Sequence, residues 1–154
     1  MALFVSTFTN KIDQKGRVSF PAPFRATLAD QTIPGFAVYP SFTATALEGC
    51  GNDLLERMAA SAESSFDMFS AEQDDLATLV FSSAQQIQWD GDGRVVLPQD
   101  LLTHAGIRDR ATFVGKGRTF QIWEPDTFSS HLAGARARAL QSRPRLSLNG
   151  GGAA

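Results

Sequence analysis

The chain opens on a stretch whose apolar positions are β-branched or aromatic and interleaved with polar ones. LFVSTFTNKI (3–12) therefore predicts a strand. Asp13 suits the first position of a type I turn, and Gly16 the left-handed conformation that closes a bulged hairpin. The return strand begins at Arg17, with Val18 and Phe20 on one face and Arg17 and Ser19 on the other. Pro21 lacks a ladder donor and ends it. A short helix over 22–29 buries Phe24 and Leu28, four residues apart, and leaves Arg25 off that stripe. The strand FAVY (36–39) follows.

The same pattern returns 77 residues later. IDQKGRVSFPAPF (12–24) superposes on WDGDGRVVLPQDL (89–101), with Asp13, Gly16, Arg17, Val18 and Pro21 matching Asp90, Gly93, Arg94, Val95 and Pro98. Phe20/Leu97 and Phe24/Leu101 keep apolar character. FQIW (120–123) resembles FAVY at an offset of 84, which predicts about seven extra residues in the second copy, with ATFVGKG (111–117) as an additional strand. Two copies are too few for a solenoid, so a pseudo-twofold domain is expected.

An acidic, mostly helical connector separates the copies. Leu47, Leu54 and Met58 keep rough helical spacing, weakened by Gly49 and Gly51. Ser70 and Gln73 form a capping box ahead of Leu76, Leu79 and Val80. Gly106 is the expected C-cap for the second copy's helix. Pro125 suits the first turn of a last helix whose Phe128, Leu132 and Ala135 make one stripe. The expected organisation is a first repeat at 3–47, a connector at 48–80, a second repeat at 81–125, a helix at 126–142 and a disordered tail at 143–154.

At 154 residues with 43% hydrophobic and 19% charged positions, the chain has enough apolar material for a core. No apolar run approaches the roughly 18 residues of a membrane span, and no secretory signal is visible, so a cytoplasmic protein with no membrane partner is expected. The lone Cys50 cannot form an internal disulfide. The net charge of −2 conceals two basic ends: residues 1–29 carry +3, residues 30–92 carry −10 and residues 93–154 carry +5. Such asymmetry can build a positive surface on an acidic protein, although solvated acidic helices give the same count.

No nucleophile elbow, zincin motif or phosphate loop is present, and His104 and His131 are isolated, so no enzyme is expected. Asp90 and Asp92 faintly resemble a calcium loop, but Arg94, Val95 and Leu101 stand where further ligands are needed, so no metal or cofactor is expected. What remains is the twin turn, D-x-K-G-R in the first copy and D-G-D-G-R in the second. Around the first turn, residues 10–28 sum to +3; around the second, residues 87–105 sum to −2. Lys11, Lys15 and Arg25 align with Gln88, Asp92 and Leu102.

GRVSFPAPFRATL resembles the strand–proline–helix signature of the AbrB/SpoVT-type swapped-hairpin DNA-binding domains. The tandem copies, the NKID and KGRV strings and YPSF are similar to the MraZ family within that group, over roughly residues 3–140. The resemblance implies an α+β fold, mostly β with helices, in which one chain supplies both halves of a pseudo-twofold double AbrB-like swapped-hairpin barrel. It implies a homo-oligomeric ring of eight or twelve subunits, a nucleoid-associated location, and repression of the division and cell-wall gene cluster through short direct repeats, the protein's own promoter included.

Double-stranded DNA is the expected partner, with Lys11, Lys15 and Arg25 meeting phosphates and Arg17 reading a base or phosphate from the turn. Asp13, Gly16, Asp90, Gly93 and Arg94 are the motif residues that shape the two turns. Two alternatives use the same fold: a non-catalytic assembly protein, and an AbrB-type antitoxin that also clamps a toxin with a C-terminal arm. A complete second repeat followed by an ordinary helix speaks against the antitoxin.

Overall fold

The computed structural model describes residues 2–65 and 70–143. The first copy contains β1 (Thr7–Lys11), β2 (Arg17–Ser19), α1 (Ala22–Thr27), β3 (Phe36–Pro40), β4 (Leu47–Gly51) and α2 (Asn52–Ser65). After α3 (Ala71–Leu76) and a π-helical turn at Ala77–Phe81, the second copy repeats that order. It contains β5 (Gln85–Ile87), β6 (Arg94–Val96), α4 (Gln99–Ala105), β7 (Arg110–Gly115), β8 (Phe120–Trp123) and α5 (Pro125–Ser142). The fold is α+β on a mostly antiparallel sheet.

Six strands lie in the order β1-β7-β8-β4-β3-β5, and β2 and β6 form a separate two-stranded ribbon. Exchanging the copies turns the six-strand order into its own reverse, so a pseudo-twofold axis passes between β8 and β4. There Glu48 faces Gln121 in register, and the Gln121 amide donates to both Glu48 carboxylate oxygens at 3.2 and 3.1 Å. Both ends of this order are strands of the motif arms: β1 pairs with β7, and β5 pairs with β3. Every motif strand thus finds its partner in the other copy.

Several expectations change. The strands flanking the first turn do not zip into a hairpin, because β1 pairs with β7 and β2 with β6. The six-stranded sheet is open, with β1 and β5 at its edges, rather than closed as a barrel. β2 and β6, ended by Pro21 and Pro98, pair with each other and not with those edges. The connector begins with a strand, not a helix: LEGCG (47–51) is β4. Gly49 serves that strand by packing, since a Cβ there would lie 2.3 Å from Cε2 of the Phe120 ring.

The second copy has no extra strand either. Phe36–Ala37–Val38 pair with β5 as Ala111–Thr112–Phe113 pair with β1, so FAVY corresponds to β7, and FQIW corresponds to β4. The capping box is half made. Ser70 Oγ accepts from the Gln73 amide at 3.1 Å, but Gln73 Oε1 has no partner. Gly106 caps α4 in the left-handed conformation, as its position predicts. On α5 the expected stripe is covered in part: Phe128 packs on Trp123 with ring centroids 5.7 Å apart and Ala135 is half-buried, whereas Leu132 is exposed. Residues 144–154 of the expected disordered tail lie outside the described residues.

Phe20 is the hub of the core. It has no exposed surface and stacks between Phe36 (4.5 Å, 9°) and Trp89 (5.7 Å, 9°), with the edges of Phe24, Phe113 and Phe120 around it. These rings come from both copies, so the core belongs to neither copy alone. Burying such a side chain stabilises the fold by about 1.5–3 kcal/mol.

Candidate nucleic-acid interface

Each copy presents its motif as a tight loop held by one aspartate. In the first, the Gly16 amide donates to the Asp13 carbonyl at 3.0 Å and the Asp13 amide to the Arg17 carbonyl at 2.9 Å. Gly16 adopts φ +81° and Gly93 φ +76°, the left-handed region that the turn requires. Asp13 Oδ1 accepts the amides of Lys15 (2.9 Å) and Arg17 (2.8 Å), while Oδ2 accepts Arg17 Nε at 2.8 Å. Asp90 repeats the set with the amides of Asp92 (2.9 Å) and Arg94 (3.0 Å) and with Arg94 Nε (3.2 Å).

These bonds hold both carboxyls below the usual aspartate range. The backbone amide of the motif arginine is the largest cause in each, with the guanidinium adding to it. A charged Asp13 holds Arg17 by its Nε. In the second copy, Arg94 Nη2 is engaged as well, by Asp92 Oδ2 at 3.1 Å. Sequence comparison places Asp92 opposite Lys15 but does not show this clamp. The i, i+2 spacing within D-G-D-G-R is the signal that could have found it.

The ribbon brings the two loops onto one surface. Arg17 lies opposite Val96, and Ser19 opposite Arg94. Val18 and Val95 point into the core at 1% exposure each, so alternation puts Arg17, Ser19, Arg94 and Val96 together on the outward face. Val96 is 56% exposed between the arginines, and a shallow notch beside it is lined by Arg17, Gln86, Gln88, Trp89 and Arg94. Arg17 and Arg94 stand about two residue steps, roughly 7 Å, apart along the ribbon.

Lys11 is exposed at the end of β1, in register with Arg110 at the start of β7, so the approach to the first loop carries two cations. Lys15 is exposed at the loop tip. Asn10, which sequence reading passes over, donates from Nδ2 to the Ser19 carbonyl at 2.9 Å and braces the loop's two arms. Arg25 is only half-exposed, and its Nη1 donates to the Phe20 carbonyl and to the Gly93 carbonyl, the latter at 3.4 Å. Among the described residues, no three His, Cys, Asp or Glu side chains gather into a metal-holding group.

Residues 80–146 match a protein-family model described as "MraZ protein, putative antitoxin-like". The chain is 43% identical to the "Transcriptional regulator MraZ" of Rickettsia akari (strain Hartford) over 143 residues, 93% of this chain and 95% of that one. It is 44% identical to the protein of the same name from Rickettsia bellii (strain OSU 85-389) over 147 residues, covering 95% and 97%. The chain belongs to the MraZ family of transcriptional regulators. The family match begins at residue 80, so by itself it covers the second copy only, while the Rickettsia proteins align across both. None of the described helices of this MraZ-family chain is long and apolar enough to cross a membrane.

Proposed function

We propose that this chain binds double-stranded DNA through the outward face of the β2–β6 ribbon and represses transcription. The observation that carries the reading is the shared face itself, where Arg17 and Arg94 project from one surface across a ribbon narrow enough for the major groove. Lys11 and Lys15 supply salt-dependent phosphate contacts, and Arg17, held by Asp13 through Nε, reaches a guanine with its terminal nitrogens. The second loop contributes less, because Asp92 engages Arg94.

The targets are short direct repeats upstream of the division and cell-wall cluster, including the chain's own promoter, and the binding unit is a ring of eight or twelve subunits on the nucleoid. The exchange of motif strands between copies supports an AbrB-type relation, with one chain standing for two. Weak single contacts on a protein of net charge −2 favour linked engagement, which gains roughly 10²–10⁴ in avidity. Repeats spaced by about one helical turn, 10–10.5 base pairs, would face the ring from one side.

The test is binding to the gene's upstream DNA carrying one, two or three repeats, then to repeats respaced by half a turn, with mass measurement of the free protein. Three repeats should bind far more tightly than one, and the half-turn shift should abolish the gain. Equal affinity throughout would show that each subunit binds alone.

A further inference from the structure

The loops of the two copies are alike in backbone but not in what lies against them. A Cβ on Gly16 would meet only Val96 Cγ1 at 3.9 Å, an ordinary contact. A Cβ on Gly93 would lie 2.5 Å from Arg25 Nη1 and 2.6 Å from its Cζ. The Arg25 guanidinium therefore rests directly on the backbone of the second loop, in space that only glycine leaves open. The Gly93 carbonyl also accepts the Phe20 amide at 2.9 Å, and the Phe20 carbonyl accepts Arg25 Nη1. One guanidinium thus ties together α1, the end of β2 beside the core's central ring, and the other copy's loop. The matched position in the second copy is Leu102, buried and without a donor, so the tie exists on one side only.

We propose that Arg25 is a positioning residue that sets the second loop against the first loop's ribbon, and with it the spacing of Arg17 and Arg94, in place of the phosphate contact that family resemblance implies. The inference rests on the DNA-binding reading above for its consequence, but the tie itself can be tested without DNA. Arg25 Nη1 is shared between two backbone carbonyls, groups that cannot dissociate, so the guanidinium is held against fixed partners and transmits their geometry.

The first experiment is a melting cycle on the full chain. Gly16→Ala and Gly93→Ala impose similar backbone strain, since both positions have left-handed φ, but only the second drives a methyl into Arg25. Gly93→Ala should lower Tm more than Gly16→Ala, and the excess should vanish when both are made in an Arg25→Leu background. An excess that persists without Arg25 overturns the tie.

The second experiment measures affinity for upstream DNA against salt. Arg25→Leu should weaken binding at least tenfold while leaving the salt slope at the parent value, whereas Lys15→Ala should lower the slope by about 0.9. A comparable fall in slope for Arg25→Leu would make it a phosphate contact and overturn the proposal. If the parent protein does not prefer its upstream DNA to scrambled DNA, the regulator reading fails, and the melting cycle alone decides whether Arg25 fixes the loop.

Discussion

Asp92→Lys should recruit the second copy's loop to DNA. Asp92 is 78% exposed at its side chain, and it makes one backbone contribution to the loop, an amide bond to Asp90 that lysine keeps. The substitution releases Arg94 Nη2 from the bond at 3.1 Å and raises the charge of residues 87–105 from −2 to zero. Two cationic groups then stand where one engaged pair stood. If both reach phosphates, the salt slope steepens by about 1.8, since each neutralised phosphate contributes about 0.9. Between about 50 and 200 mM salt the variant should lose roughly twelvefold more affinity than the parent, having started tighter. Fluorescence anisotropy with labelled upstream DNA at four or five salt concentrations measures this directly. Asp92→Ala, which frees the arginine without adding charge, should show about half the change in slope. A slope identical to the parent's in both variants would refute the claim that the two loops share one DNA-facing surface.

Other outcomes follow from the same geometry. Arg17→Ala should abolish specific binding, whereas Arg94→Ala should chiefly affect stability or assembly; equal loss of affinity in two well-folded variants would remove the asymmetry between copies. Phe20→Ala should destabilise the chain by about 3–5 kcal/mol in chemical denaturation, because five rings lose their common neighbour. Asp13 and Asp90 release their protons more readily folded than unfolded. Their contribution is therefore complete above the unfolded value near 3.9 and is lost as pH falls through the lower folded values. Asp13→Asn should accordingly flatten the acid side of the stability–pH curve measured by thermal melting. Truncation after Leu140 removes Arg143 and Arg145 and should leave DNA affinity within a few-fold, with a hundred-fold loss marking the arm as a phosphate contact.

The loops were legible because local chemistry dictates them. Asp at the first position, Gly in the left-handed position and Pro at the strand end act within a few residues, and all appear where the pattern predicts. Which strand each arm would join was not legible. Thr7–Lys11 carries an alternating pattern that fits any edge, and nothing nearby in sequence says that its neighbour is Arg110–Gly115 rather than Arg17–Ser19. LEGCG reads as a broken helix because its glycines look like breakers, yet the reason for Gly49 is a ring 71 positions away. The similarity of FAVY to FQIW misled in the same way, since inner strands of one core share a composition without sharing a place. On the candidate surface, the arginines were visible as charge and the hold of Asp92 on Arg94 is local, two residues apart, but the bond of Arg25 to the Gly93 carbonyl joins positions 68 residues apart and depends on three-dimensional closeness.

The crossing of strands between copies also sets a timetable for biosynthesis. Phe8 pairs in register with Phe113, so the first strand leaves the ribosome about a hundred residues before its neighbour is made. At 5–20 residues per second, the amino-terminal half waits about 5–20 s with Phe20, Phe24 and Phe36 lacking the rings of Trp89, Phe113 and Phe120. Contacts this distant in sequence also form slowly once available. A chain cut short after its first copy therefore lacks the strands that its own β1 and β2 pair with, so neither motif strand of that copy has its partner until the second copy is made.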